Sequence, residues 1–279
     1  MNPKALVLQA HGSNRDFDVM EALSLAGADP TGIPLNELRA NKTLLSDFQL
    51  LVVPGGFSYA DALGAGKLLA LDLASYFADE IAAFVASGKP VIGICNGFQA
   101  LVKSGILPGM SVIASGAKQS PTQEEIALDY RPRNDMAVTL TFNEQGHFEC
   151  RWVNLAPVSQ TCIWTKGLEE NITCPIAHGE GNFQITDSFP LSDFIAQDQI
   201  ALTYTHADGS PAGEEYPMNP NGSILDIAGI CNPQGNVLGL MPHPENHIHV
   251  WQNPRHTRGE TDGSGLKLFQ NGVNHARQM

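Results

Sequence analysis

The sequence predicts an α/β fold: an open, mostly parallel twisted sheet with flanking helices and antiparallel additions. Three observations predict it. Short continuous apolar runs alternate with helical patterns through the first third of the chain, which is how parallel strands buried on both faces read. Two of those runs end in glycine-rich turns, at the strand ends where ligands gather in such sheets. The middle of the chain then changes to strand-like stretches separated by turns, the pattern of antiparallel pairing.

Residues 5–10 (ALVLQA) form the first buried strand, and residues 18–28 an amphipathic helix with Gly27 near its end. Residues 50–53 (LLVV) are a second buried strand running into Pro54-Gly55-Gly56. Asp79 is the expected N-cap of a helix that buries Ile81, Phe84 and Val85 and stops at Ser87-Gly88-Lys89-Pro90. Residues 91–94 are a third buried strand, with a helix starting at Asn96 or Gly97. Strands are expected at 136–142, 148–155, 161–164, 200–205 and 223–230. Residues 246–262 read as a loop, and residues 266–275 as a last helix. Length divided by about 150 residues per domain allows one or two domains. The pattern favours a single domain over 1–279, with 246–279 its loop and C-terminal helix.

Of the 279 residues, 43% are apolar, enough for a sizeable core, and the net charge is −13. An acidic surface repels phosphate backbones and argues against nucleic-acid binding. The best apolar stretch, 68–77, is interrupted by Asp72 and falls short of the roughly 20 residues a membrane helix needs, so no membrane association is expected. Five cysteines without a Cys-x-x-Cys pair suit a reducing cytoplasm. Cys150, Cys162, Cys174 and Cys231 read as buried structural thiols.

The chemistry concentrates at strand ends. Gly93-Ile-Cys-Asn-Gly97 has the G-x-nucleophile-x-G spacing of a nucleophile elbow, with cysteine as nucleophile. The turn needs small neighbours two residues either side, and it sets the sulfur at a helix N-terminus, where the dipole favours a thiolate. By itself the motif is equally compatible with a buried thiol. The N–H groups of Gly56 and Asn96 are candidates for an oxyanion hole, although Pro54-Gly-Gly alone is more often an ordinary turn. His243, before Pro244, is held extended, so that Glu245 two residues on shares its side and orients it. His178 is the rival base. A metal reading of His243, His247 and His249 lacks a regular element and a carboxylate set, so no metal is expected. No G-x-x-x-x-G-K-[ST] phosphate loop occurs.

Four motifs occur in order: Pro54-Gly-Gly-Phe-Ser-Tyr, Gly93-Ile-Cys-Asn-Gly-Phe-Gln99, Pro175-Ile-Ala-His-Gly-Glu-Gly181 and Gly239-Leu-Met-Pro-His-Pro-Glu245. Together with Gly12-Ser-Asn-Arg-Asp16, Ile227-Ala-Gly-Ile-Cys-Asn232 and Gly265-Leu-Lys-Leu-Phe269 they cover most of the chain. They resemble class I glutamine amidotransferases, and within them the glutaminase subunits of phosphoribosylformylglycinamidine synthase in purine biosynthesis. The resemblance implies a flavodoxin-like core and a Cys95, His243 and Glu245 triad that hydrolyses glutamine through a glutamyl thioester. Gly56 and Asn96 would form the oxyanion hole, and Gly55, Phe57, Gln99 and His178 would contact substrate, with the His178 segment on the approach or partner-facing rim. It also implies ammonia transfer to a separate synthetase subunit that uses ATP and magnesium, no cofactor in this chain, and a small accessory subunit. Ala60 stands where the family commonly has Gly, Gly64 where it has Arg, and Arg15 where it has Cys. Competing readings are another class I amidotransferase, an elbow-cysteine hydrolase of different reaction, and a non-catalytic scaffold subunit.

Overall fold

The computed structural model describes residues 1–109, 137–186, 190–261 and 263–279. The first strand β1 (Lys4–Gln9) leads through helix α1 (Asp16–Leu25) to β2 (Asp29–Pro34) and α2 (Leu35–Ala40). Strand β3 (Leu50–Val53), helices α3 (Lys67–Tyr76) and α4 (Ala78–Ala86), strand β4 (Val91–Ile94) and helix α5 (Asn96–Lys103) follow. Beyond them come β5 (Val138–Thr141), β6 (Glu149–Pro157), β7 (Ile172–His178), β8 (Asn182–Ile185), helix α6 (Leu191–Ala196), β9 (Ile200–Thr205), β10 (Ile227–Cys231), β11 (Val237–Leu240) and helix α7 (Leu266–Ala276).

Among the described residues, nine strands form one sheet in the order β2-β1-β3-β4-β11-β10-β9-β6-β7. The pairings from β2 to β11 are parallel, and those from β11 to β7 antiparallel. All residues of β3, β4 and β11 are buried, as continuous apolar runs in the middle of a two-sided sheet require. Helix α3 packs on α5, and α1 on α7. The mixed sheet with flanking helices matches the predicted class. Among the described residues, no helix is long and apolar enough to cross a membrane.

Some elements differ from expectation, each for a local reason. The edge strand β2 reads Asp-Pro-Thr-Gly-Ile-Pro, a composition that suggests a turn; parallel pairing with β1 on one side only tolerates its prolines. Residues 161–164 form a turn and not a strand. The Asp198 carboxylate accepts the N–H groups of Gln160 and Thr161, both at 2.8 Å, which folds the backbone back, while Trp164 is fully buried and donates to the Asn236 carbonyl at 3.2 Å. Asp79 lies in the first turn of α4, whose N-cap is Phe77; there it favours the helix through the dipole and not as a cap. Strand β5 pairs with β8 in a separate two-stranded sheet; Met136, the predicted start of that strand, lies outside the described residues. The expected strand from Ser223 begins as a short 3-10 turn at Ile224–Asp226. Cys150 is exposed, because alternate residues of β6 face out, whereas Cys162, Cys174 and Cys231 are buried as expected. Asp262, at the end of the predicted loop, is also outside the described residues; the loop before it carries 3-10 turns at Val250–Gln252 and His256–Arg258.

Candidate active site

Strands β3, β4 and β11 end side by side, and their carboxyl ends carry the predicted site residues other than His178, which ends β7. Cys95 directly follows β4 and is the N-cap of α5, with φ 50° and ψ −106°. This is a strained backbone for a non-glycine residue. The glycines on either side are needed for it. A Cβ on Gly93 would stand 2.5 Å from Leu101 Cδ1, and one on Gly97 only 1.9 Å from the Val53 carbonyl oxygen. The elbow thus depends on α5 pressing its first turn directly onto the end of β3. The Cys95 N–H donates to the Leu240 carbonyl at 2.8 Å, which pins the elbow to β11. The residue is buried, with 6% of its surface exposed, and Sγ lies 3.8 Å from the Ala177 carbonyl.

His243 lies just beyond β11, and its N–H donates to the Pro175 carbonyl at 2.8 Å. Its Nδ1 is 2.7 Å from Glu245 Oε1, and both side chains are buried. The predicted pair is therefore present, but through a different geometry. Pro244–Asn246 is a 3-10 turn, so Glu245 reaches back to His243 across a tight turn and does not lie along an extended strand. Burial disfavours the imidazolium, but the Glu245 carboxylate, and after it the Cys95 sulfur, outweigh burial and raise the His243 pKa to about 10. A Cβ on Gly55 would meet His243 Cε1 at 2.8 Å, so the ring covers the glycine turn after β3. Cys95, His243, Glu245, Gly55 and Gly56 thus belong to one cluster.

The raised pKa gives a pH prediction. A group whose pKa rises on folding, here from 6.5 to about 10, contributes stability that is fully present below pH 6.5 and is lost as pH rises through about 10. Urea unfolding at pH 6 and pH 10.5 is expected to show a loss larger in the native chain than in Glu245→Gln, by on the order of 2 kcal/mol. Equal losses in both would show that the carboxylate does not hold the proton on His243.

Gly56 has φ 134°, and a Cβ there would meet the Asn14 amide nitrogen at 2.7 Å. Its N–H and that of Asn96, at the first position of α5, donate to no protein acceptor among the described residues. Phe57 is 47% exposed, at the surface beside this turn.

Two predicted contact residues occupy different places. Gln99 is buried, and both ends of its amide are engaged: Nε2 donates to the Glu180 carbonyl at 2.7 Å, and Oε1 accepts from Asn96 Nδ2 at 3.1 Å. In this position it braces the wall of the site. His178 is buried and not on a rim. Its Nδ1 is 3.2 Å from Asn143 Oδ1, and its ring lies over Gly181. Burial, and then the charge of His243, push its pKa down to about 3, too weak a base to rival His243 at neutral pH. Alternation along β7 explains this: Ile172, Cys174, Ile176 and His178 share the buried face. Of the departures from the family pattern, Ala60 takes φ 54°, a conformation easier for the more common glycine, and Arg15 pairs with Asp18 at 3.0 Å. No group of three or more metal-ligating side chains occurs among the described residues. Sequence reasoning missed the Ala177 carbonyl beside the sulfur and the buried partners of Asn96, Ser58 and Asp61; Ser58 lies within the Phe-Ser-Tyr motif, but nothing local shows what it touches.

An elbow cysteine and a carboxylate-bound imidazole at the carboxyl ends of neighbouring strands are the arrangement expected of a glutamine amidotransferase, and the chain belongs to the family of CobB/CobQ-like glutamine amidotransferase domains, whose model matches residues 2–276. It is 52% identical over 278 residues to phosphoribosylformylglycinamidine synthase subunit PurQ of Treponema denticola, covering 99% of each chain. It is 40% identical to the subunit of the same name from Dehalococcoides mccartyi, covering 99% of this chain and 98% of that one. Among solved structures, a chain of PurLQS from Thermotoga maritima superposes with a TM-score of 0.70 at 32% identity, covering 98% of this chain and 99% of that chain.

Proposed function

We propose that this chain is the glutaminase subunit of a phosphoribosylformylglycinamidine synthase, with Cys95 as nucleophile, His243 as acid and base, and Glu245 as its orienting carboxylate. The observation that carries the reading is the strained elbow cysteine beside an imidazole whose other nitrogen is held 2.7 Å from a buried carboxylate.

With the shared proton on His243, the Cys95 sulfur attacks the side-chain carbonyl carbon of glutamine. The carbonyl oxygen becomes an oxyanion, which the Gly56 and Asn96 N–H groups stabilise. His243 then gives its proton to the departing nitrogen, so ammonia leaves and a glutamyl thioester remains on Cys95. Neutral His243 next takes a proton from water, whose oxygen attacks the thioester carbon. Glutamate leaves, and the proton returns to the sulfur–imidazole pair. Glu245 stays charged throughout and fixes the ring.

The similarity to the PurQ subunits and to a chain of PurLQS supports a synthetase partner that receives the ammonia, with ATP and magnesium in that partner, a small accessory subunit, and a cytoplasmic setting. Gly55 and Phe57, beside the Gly56 turn, are the remaining candidates for holding glutamine. The test is reconstitution with the synthetase subunit. Glutamine is expected to drive amidine formation in the complex, and glutaminase activity to be low in the free chain. Failure of the complex to use glutamine while it uses added ammonia would contradict the assignment.

A further inference from the structure

Gly56 and Asn96 sit on separate stretches of chain, so an oxyanion hole built from their N–H groups requires something to fix the distance between them. The Asn96 side chain is placed to do so. It is 2% exposed, and its carboxamide is fully used: Oδ1 accepts from Ser58 N–H at 3.2 Å and from Ser58 Oγ at 2.5 Å, and Nδ2 donates to Asp61 Oδ1 at 3.0 Å and to Gln99 Oε1 at 3.1 Å. Ser58, itself 3% exposed, is two residues beyond Gly56.

The segment it grips is strained. Tyr59, Ala60, Asp61 and Leu63 have φ values of 55°, 54°, 52° and 67°, and none is glycine. Such a run relaxes unless neighbours hold it. Tyr59 is held from the far side, where its N–H donates to the His11 carbonyl at 2.6 Å and its hydroxyl to Asp72 at 2.5 Å. On the elbow side, the side-chain tethers are Ser58 and Asp61, both bound to Asn96.

We propose that the Asn96 carboxamide, Ser58 and Asp61 form a clip that sets the spacing of the two oxyanion donors. Ser58 and Asp61 are positioning residues that act through the backbone of Gly56 and Asn96. The inference rests on the thioester mechanism proposed above.

The test uses the reconstituted synthetase complex. Ser58→Ala removes one buried oxygen, and Asp61→Ala removes one of the two acceptors for Asn96 Nδ2. Each is expected to lower glutamine-dependent kcat about 10–100-fold, with KM within about threefold, because a displaced donor weakens the transition state more than the ground state. Asp61→Asn keeps an acceptor oxygen and is expected to restore kcat to within about threefold of wild type. Alkylation of Cys95 by iodoacetamide passes through no oxyanion, so its rate, followed on the Cys95 peptide, is expected to be unchanged in all three variants. Unchanged kcat in both alanine variants, or a kcat loss matched by an equal loss of alkylation rate and thermal stability, overturns the clip. Cys95→Ala, measured alongside, separates the two ideas. Retained glutaminase there sinks the thioester mechanism, whereas its loss with unaffected alanine variants sinks only the clip.

Discussion

Cys95→Ala is expected to eliminate glutamine-dependent turnover, by about 10⁴-fold or more in kcat, while leaving ammonia-driven synthesis by the complex intact. The first half follows from chemistry: without the sulfur no thioester forms, and the remaining N–H groups and imidazole have only bulk water to direct at an unactivated amide. The second half follows from structure. Cys95 is held by backbone bonds, its N–H to the Leu240 carbonyl and its carbonyl to the Gln99 N–H at 3.0 Å, and these survive the loss of the side chain. His243→Ala is expected to remove about 10³-fold or more, since the leaving nitrogen then has no proton donor. Assays of both variants with glutamine and with ammonium salts check this. Loss of both activities would indicate that the substitution damages the fold or the partner interface and not the chemistry.

Gly97→Ala is expected to have the largest effect on folding at the site. A methyl group 1.9 Å from the Val53 carbonyl oxygen and 3.1 Å from the Pro54 oxygen cannot be absorbed by a rotamer change, because both neighbours are backbone, at the end of β3 and in the turn after it. The first turn of α5 must move away from β3, which opens the core and displaces Cys95 and Asn96 together. Overpacking of this kind costs about 3 kcal/mol, or about 5 °C in melting midpoint for a chain of this size, with loss of glutaminase activity. Gly105→Ala is the control. It has φ 79° but nothing within 4 Å of the added methyl, so it is expected to cost only the backbone term, about 1 kcal/mol. Thermal melts of the two variants measure the difference. Equal, small shifts would mean that α5 does not bear on β3 as closely as described.

The parts of this fold that were legible in the sequence are those whose reasons are local. The runs that became β3 and β4 were apolar without interruption because both faces of the sheet are covered, and G-x-C-x-G showed the elbow because its steric need falls on neighbours two residues away. Residue spacing pointed to His243 and Glu245, and the resemblance agreed, but the spacing argument assumed an extended backbone that the 3-10 turn replaces. What was illegible depends on distant partners. Whether β2 is a strand is decided by β1 beside it, and the turn at 161–164 is set by a carboxylate 37 residues later. Gln99 reads as a substrate contact because nothing nearby in sequence reveals that its amide donates to the Glu180 carbonyl, 81 residues on. The grip of Asn96 on Ser58 spans 38 residues and was invisible for the same reason.

The most direct test of the mechanism is to quench the complex in acid during glutamine turnover and map its peptides by mass spectrometry. The account predicts a glutamyl adduct on the peptide carrying Cys95, absent from Cys95→Ala. An adduct on the exposed Cys150 instead, or turnover with no adduct on any cysteine, would contradict it.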